Sequence, residues 1–105
     1  MSNRFEEFSY EELVEKAKKD IKLIKEEIFP FLKSKKVYTP VELREIVAIY
    51  MNVGINMSYF RGIASDFFSK NNIRKQAQEL YDEYKSISIE TDVILDMKKE
   101  ENEKE

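Results

Sequence analysis

Residues 39–69, TPVELREIVAIYMNVGINMSYFRGIASDFFS, decide how the rest of the chain must fold. Thr39, Pro40 and Glu42 spell a helix start: a hydroxyl that takes a free amide, a ring that suits the first helical position, and a carboxylate that reaches back to the cap. Tyr38 and Leu43 stand where a hydrophobic staple would close that start. Leu43, Ile46, Val47, Tyr50 and Met51 recur at helical spacing and predict one buried face. Asn52-Val53-Gly54 then interrupts the pattern with a glycine, which accepts positive φ without steric cost and predicts a helix end. Asn56 is placed to cap a further helix whose core face would be Phe60, Ile63, Ala64, Phe67 and Phe68. Two helices over 40–51 and 57–69 with a short glycine turn have the outline of a helix-turn-helix, whose second helix would enter a DNA major groove. A plain packing hairpin has the same outline.

On the N-terminal side, Ser9 and Glu12 match a capping box, with Phe8 and Leu13 as its staple. Tyr10, Val14, Ala17, Ile21, Ile24 and Ile28 follow at steps of four and three, one apolar stripe on a helix over 9–29. Pro30 is expected to end or kink that helix, because it lacks an amide and clashes with the preceding turn. Residues 31–38 form a short basic connection with room for one more turn. On the C-terminal side, Ser69-Lys70-Asn71-Asn72 breaks the pattern and Asn72 caps a helix over 72–87 carrying Ile73, Ala77, Leu80, Tyr81, Tyr84 and Ile87. Beyond it the signal fades, and residues 88–99 fit helix, strand or coil. The fold class expected is therefore all-α, a compact bundle of about four helices with a helix-turn-helix-like central pair and an acidic C-terminal tail. The domain spans 1–95, and 96–105 has too little to bury to hold a shape.

Composition supports this reading. The chain has 105 residues, enough for one core but not two. Only two Gly and two Pro leave little material for a turn-rich sheet protein. With no Cys, disulfides and thiolate metal sites are excluded. The N-terminus has neither a basic nor an apolar leader region, and the apolar run Val47-Ala48-Ile49-Tyr50-Met51 falls far short of the ~20 residues that a bilayer span needs. A cytoplasmic protein that neither enters nor crosses a membrane is expected. The net charge of −3 is unevenly spread, since residues 31–75 carry eight basic and three acidic side chains while 76–105 carry four and ten.

Catalysis at neutral pH usually rests on His, Cys, an activated nucleophile or a metal, and the chain has neither His nor Cys. The carboxylate pairs Glu6/Glu7, Glu11/Glu12 and Glu26/Glu27 lie among lysines on a polar helix face. Asp92, Asp96 and Glu100 stand at four-residue steps without the spacing of a calcium loop, and no phosphate-binding glycine loop is present. No enzymatic activity, metal or cofactor is expected.

Two features point to binding instead. Ser58, Gly62, Ser65 and Ser69 fall on one side of a 57–69 helix, a strip of small residues that lets another backbone approach, flanked by Tyr59, Arg61 and Asp66. The same strip would pack inward if that helix were central. Lys70, Arg74 and Lys75 begin the next helix, where free amides already attract an anion. Solvated side chains held by Glu79 or the tail explain the same residues. The leading expectation is a small non-enzymatic regulator, adaptor, inhibitor or subunit that binds a protein partner. The competing one is a dimeric DNA-binding regulator reading with helix 57–69 and gripping phosphates with the basic segment 31–75, namely Lys33, Lys35, Lys36, Arg44, Lys70, Arg74 and Lys75. A homodimer fits either.

Overall fold

The computed structural model describes residues 9–103; Phe8, the Glu6/Glu7 pair and the last two residues of the tail lie outside them. Among the described residues there is no strand, and the chain forms three helical rods rather than four.

The first rod joins α1 (Tyr10–Leu23), a π turn (Ile24–Ile28) and α2 (Phe29–Ser34) without leaving helical backbone angles. Ser9 caps it, its hydroxyl accepting from the Glu12 amide at 3.2 Å. The rod runs past Pro30, which was expected to end or kink it, because the turn before the proline is wide. The Phe29 amide donates to Ile24 O, five residues back, so one extra residue is wound into the helix. In an ordinary α-helix the proline ring would press on the carbonyl of Glu26 and leave it unpaired. The same residue corrects the phase of the apolar stripe. Val14, Ala17, Ile21 and Ile24 are buried at steps of three and four, and the next buried residue is Phe29, five on, followed by Leu32. Ile28, read from the sequence as the continuation, is only partly buried.

The second rod, α3 (Pro40–Ala64), starts as expected. Thr39 Oγ1 accepts from the Glu42 amide at 3.2 Å and the Thr39 amide donates to Glu42 Oε1 at 2.8 Å. It does not stop at Gly54, so the helices over 40–51 and 57–69 are one helix up to Ala64 and the helix-turn-helix-like pair is not formed. Gly54 has no positive φ. A glycine inside a helix costs about 1 kcal/mol, whereas burying an apolar side chain gains ~1.5–3 kcal/mol. Ile46, Val53 and Phe60 are buried at seven-residue steps that only an unbroken helix places on one line. Asn56, read as a cap, instead donates from Nδ2 to Asn52 O one turn back at 3.0 Å.

The third rod, α4 (Asn71–Glu103), is longer than the 72–87 expected. Residues 88–99 are helix, and residues 96–103 continue it rather than forming a loose tail. Packing carries it: Ala77, Leu80, Tyr84, Ile87, Thr91 and Ile94 are buried at alternating steps of three and four. Thr91, the one polar member, donates its hydroxyl to Ile87 O at 2.8 Å. Lys98 extends the line and donates to Lys33 O at 3.0 Å, meeting the free carbonyls at the end of the first rod.

The arrangement is a tight antiparallel hairpin of α3 and α4 with the first rod laid along it, parallel to α4. Tyr50 Oη donates to Asp92 at 3.2 Å, and Phe60 stacks on Tyr84 with ring centres 6.2 Å apart, which sets the hairpin register. Tyr10 Oη to Ile73 O, Lys25 to Glu83 and Lys33 to Glu90 place the rod against α4. No buried side-chain nitrogen or oxygen among the described residues lacks a partner.

Two expectations follow. Deleting Glu27 removes the extra residue and forces Pro30 into a regular helix, so denaturant unfolding should show a loss of about 3 kcal/mol, most of it recovered when Pro30→Ala is added; losses that simply add would refute the link between turn and proline. The pH profile of stability should be flat in the middle and fall at both ends. Burial raises the hydroxyls of Tyr10, Tyr38, Tyr59 and Tyr84 above the ordinary 10.0, most strongly at Tyr84, where Asp20 adds to it. Unfolded tyrosines ionise first, so stability holds below pH 10 and is lost as pH rises beyond it. Glu42, held below its usual 4.5 chiefly by Lys35, and Asp66, held below 3.8 chiefly by the Phe68 amide, contribute fully above those values and lose their contribution as pH falls through them. Thermal melts from pH 2 to 12 check both limbs, and Tyr84→Phe should flatten the alkaline one.

Candidate functional site

α3 and α4 are joined by residues 65–70, and this hairpin tip gathers most of the residues singled out in the sequence. Ser65 caps α3, its amide donating to Arg61 O at 3.1 Å. Asp66 then organises the turn: its carboxylate accepts from the Phe68 amide at 3.0 Å and from the Ser69 hydroxyl at 2.9 Å. Ser69 is thus a half-buried turn residue, and it cannot share a helix face with Ser58 and Gly62 because α3 has already ended. Ser58 and Gly62 themselves are exposed on the outer side of α3, as are Arg61 beside them and Ser65 at its end. Tyr59 is half-buried, its ring edge-on to Phe60 at 5.0 Å.

The basic cluster is divided. Lys70 and Lys75 are exposed. Arg74 is half-buried and turned inward: its Nε donates to Ala64 O at 3.2 Å and its guanidinium lies 5.6 Å from the centre of the Phe67 ring. A cation there meets the negative end of the α3 dipole, which accounts for a basic residue in the first turn of α4 without any external anion. The anion dock read at Arg74 and Lys75 therefore has only Lys75 facing outward.

Sequence periodicity assigned Phe67 and Phe68 to the core. They are instead 86% and 98% exposed, side by side at the tip. The available signal was the turn chemistry on either side, Ser65-Asp66 before them and Ser69-Lys70-Asn71-Asn72 after, which leaves no room for another helical turn. Two adjacent phenylalanines stand exposed on a turn braced by Asp66, with the Arg74 guanidinium over the Phe67 ring and the exposed Lys70 following the turn in the chain.

Elsewhere the surface offers less. A groove of about 230 Å³ between the first rod and α3, lined by Asp20, Leu23, Ile28, Ala48 and Asn52, brings no set of polar groups to one point. Among the described residues no cluster of three or more Asp or Glu is disposed to hold a metal ion.

Gly62 has open space at its missing Cβ, with nothing within 4 Å, and no positive φ. Gly62→Ala should therefore raise the stability of the isolated chain by up to about 1 kcal/mol, and a loss in denaturant unfolding would mean that the fold itself needs a glycine there.

Comparison with models of known families, with curated proteins and with solved structures finds no match, so the functional reading rests on the residues described above.

Proposed function

We propose that this chain is a small non-enzymatic helical regulator or adaptor that acts by docking a protein partner on its hairpin tip. The observation that carries the reading is the exposure of Phe67 and Phe68 on a turn that Asp66 holds in one shape. Aromatic side chains dominate the energetics of protein interfaces, and burying each of these two is worth roughly 1.5–3 kcal/mol. Because the turn is already ordered, little of that gain is spent on fixing it. Arg74 over the Phe67 ring and the exposed Lys70 at the end of the turn favour a partner with carboxylates beside its apolar pocket.

Duplex DNA is the competing ligand for a basic segment, but the separate reading helix it would need is the end of α3. Much of the positive charge of 31–75 also faces internal partners: Lys33 meets Glu90, Lys35 meets Glu42, and Arg74 meets Ala64 O.

The test is a double substitution, Phe67→Ser with Phe68→Ser. Both side chains are exposed, so stability should change by no more than ~0.5 kcal/mol, while capture of the partner from the protein's own cell extract should be lost. Undiminished capture would sink the tip as the docking point. Gel shift at low salt should show no duplex retardation, and a retarded band that weakens steeply with salt would favour the DNA reading instead.

A further inference from the structure

The first rod and α3 both pack on α4, and between themselves they leave the groove of about 230 Å³. Leu23 and Ile28 stand on the rod side of it, Ala48 and Ile49 on the α3 side. The apolar trough continues beyond this stretch in both directions. Eight residues separate Leu23 from Phe31, which is two turns once the extra residue of the π turn is counted, so the two side chains share a line; both remain two-fifths to a half exposed. At the other end Ile55, seven residues after Ala48 and on the same line of α3, is nearly two-thirds exposed. The wider turn that admits Pro30 thus also lines up the rod wall of the groove.

Asp20 is the one charged side chain in the groove wall, with Asn52 on the facing helix. It is half-buried, and its charge adds to the raised pKa of the Tyr84 hydroxyl. No hydrogen bond or ion pair among the described residues reaches its carboxylate; Lys16, one turn earlier, leaves it unpaired. The facing helix offers no cation either, since residues 46–60 contain no charged side chain at all. A carboxylate held against apolar surface without a counter-charge costs stability, and the fold gives it no compensating contact. A small polar metabolite would need several polar groups converging on one point. An open trough between two helices, apolar along its length and anionic at one position, instead has the shape and charge to receive the side of another helix.

We propose that the groove between the first rod and α3 is a docking site for an amphipathic helix of a protein partner, whose apolar side carries one arginine or lysine that pairs with Asp20. A helix laid there sits in the notch between two antiparallel neighbours, as the fourth member of a bundle does. Its apolar residues, recurring every three to four positions, cover Leu23, Phe31 and Ile55, and Ala48 is small enough to let its backbone come close. The charged pair fixes where along the trough the helix stops, because apolar contact alone would let it slide by a turn. This surface is separate from the hairpin tip: Asn52 lies twelve residues before the end of α3 at Ala64, about 18 Å along the helix.

Two fluorescein-labelled synthetic helical peptides of about eighteen residues serve as probes, leucine and alanine on one side and glutamine on the other, identical except for one arginine or one glutamate in the middle of the apolar side. Fluorescence anisotropy with the full chain should show the arginine peptide binding ~10-fold or more tighter than the glutamate peptide. Asp20→Asn should abolish that preference and Asp20→Lys should reverse it. Ala48→Trp, at an exposed position inside the groove, should keep the helical circular dichroism and weaken the arginine peptide by ~10-fold or more. Equal binding of the two peptides overturns the proposal, as does a preference that survives both Asp20 variants or binding undiminished by Ala48→Trp. The double phenylalanine variant should bind the arginine peptide as the unaltered chain does, so failure at the tip and failure at the groove are separate results.

Discussion

Everything in this fold passes through the stack of Phe60 on Tyr84. Both rings are fully buried, one from α3 and one from α4, and they lie nearly parallel at 13°. The Tyr84 hydroxyl, raised far above its ordinary pKa by burial, points at Ala17 O of the first rod at the long distance of 3.5 Å. One aromatic pair therefore touches all three rods. A small helical domain gains most of its stability from tertiary packing rather than from local propensity, and this pair is among its most deeply buried side chains. It explains why α3 tolerates a central glycine: the buried line Ile46, Val53, Phe60 must stay straight to reach Tyr84.

Local chemistry with a fixed spacing was legible in the sequence. Ser9 with Glu12 and Thr39 with Glu42 begin helices where their capping patterns say they should, and the stripe from Val14 to Ile24 is the buried face. Events decided by distant contacts were not. Gly54 carries the same local signature as a helix end, and only the burial of Val53 and Phe60 against another rod reverses it. The π turn leaves a trace, a five-residue step from Ile24 to Phe29, but Ile28 offers a plausible four-residue step and hides it. The length of α4 was present in the alternation from Ala77 to Ile94; the strand-like Ser86-Ile87-Ser88-Ile89 and the charged end masked it. At the candidate site the error ran the other way. Phe67 and Phe68 look like core because they are aromatic and correctly spaced, yet Asp66 ends the helix just before them.

The uneven charge along the chain has a structural use. The topology brings the acidic end against basic residues earlier in the chain, so Lys33 of the basic middle and Lys25 just before it, both on the first rod, lie against Glu90 and Glu83 of α4. Each such exposed pair contributes little on its own, ~0.2–1 kcal/mol, but together they favour the parallel placement of rod and α4 over the reverse. What remains near the tip is less positive charge than the sequence suggested, with Arg74 spent on Ala64 O and the Phe67 ring and only Lys70 and Lys75 facing outward at the start of α4. That combination suits a protein surface better than a phosphate backbone.

The bond from Tyr10 to Ile73 sets the start of the first rod beside the hairpin tip, while α4 carries the other end of the described chain to the far pole. At 1.5 Å per residue that pole is about 50 Å away. A tether attached on the last described turns of α4 consequently leaves the phenylalanine pair pointing into solution, whereas one attached on the first turn of α1 crowds the pair against the support.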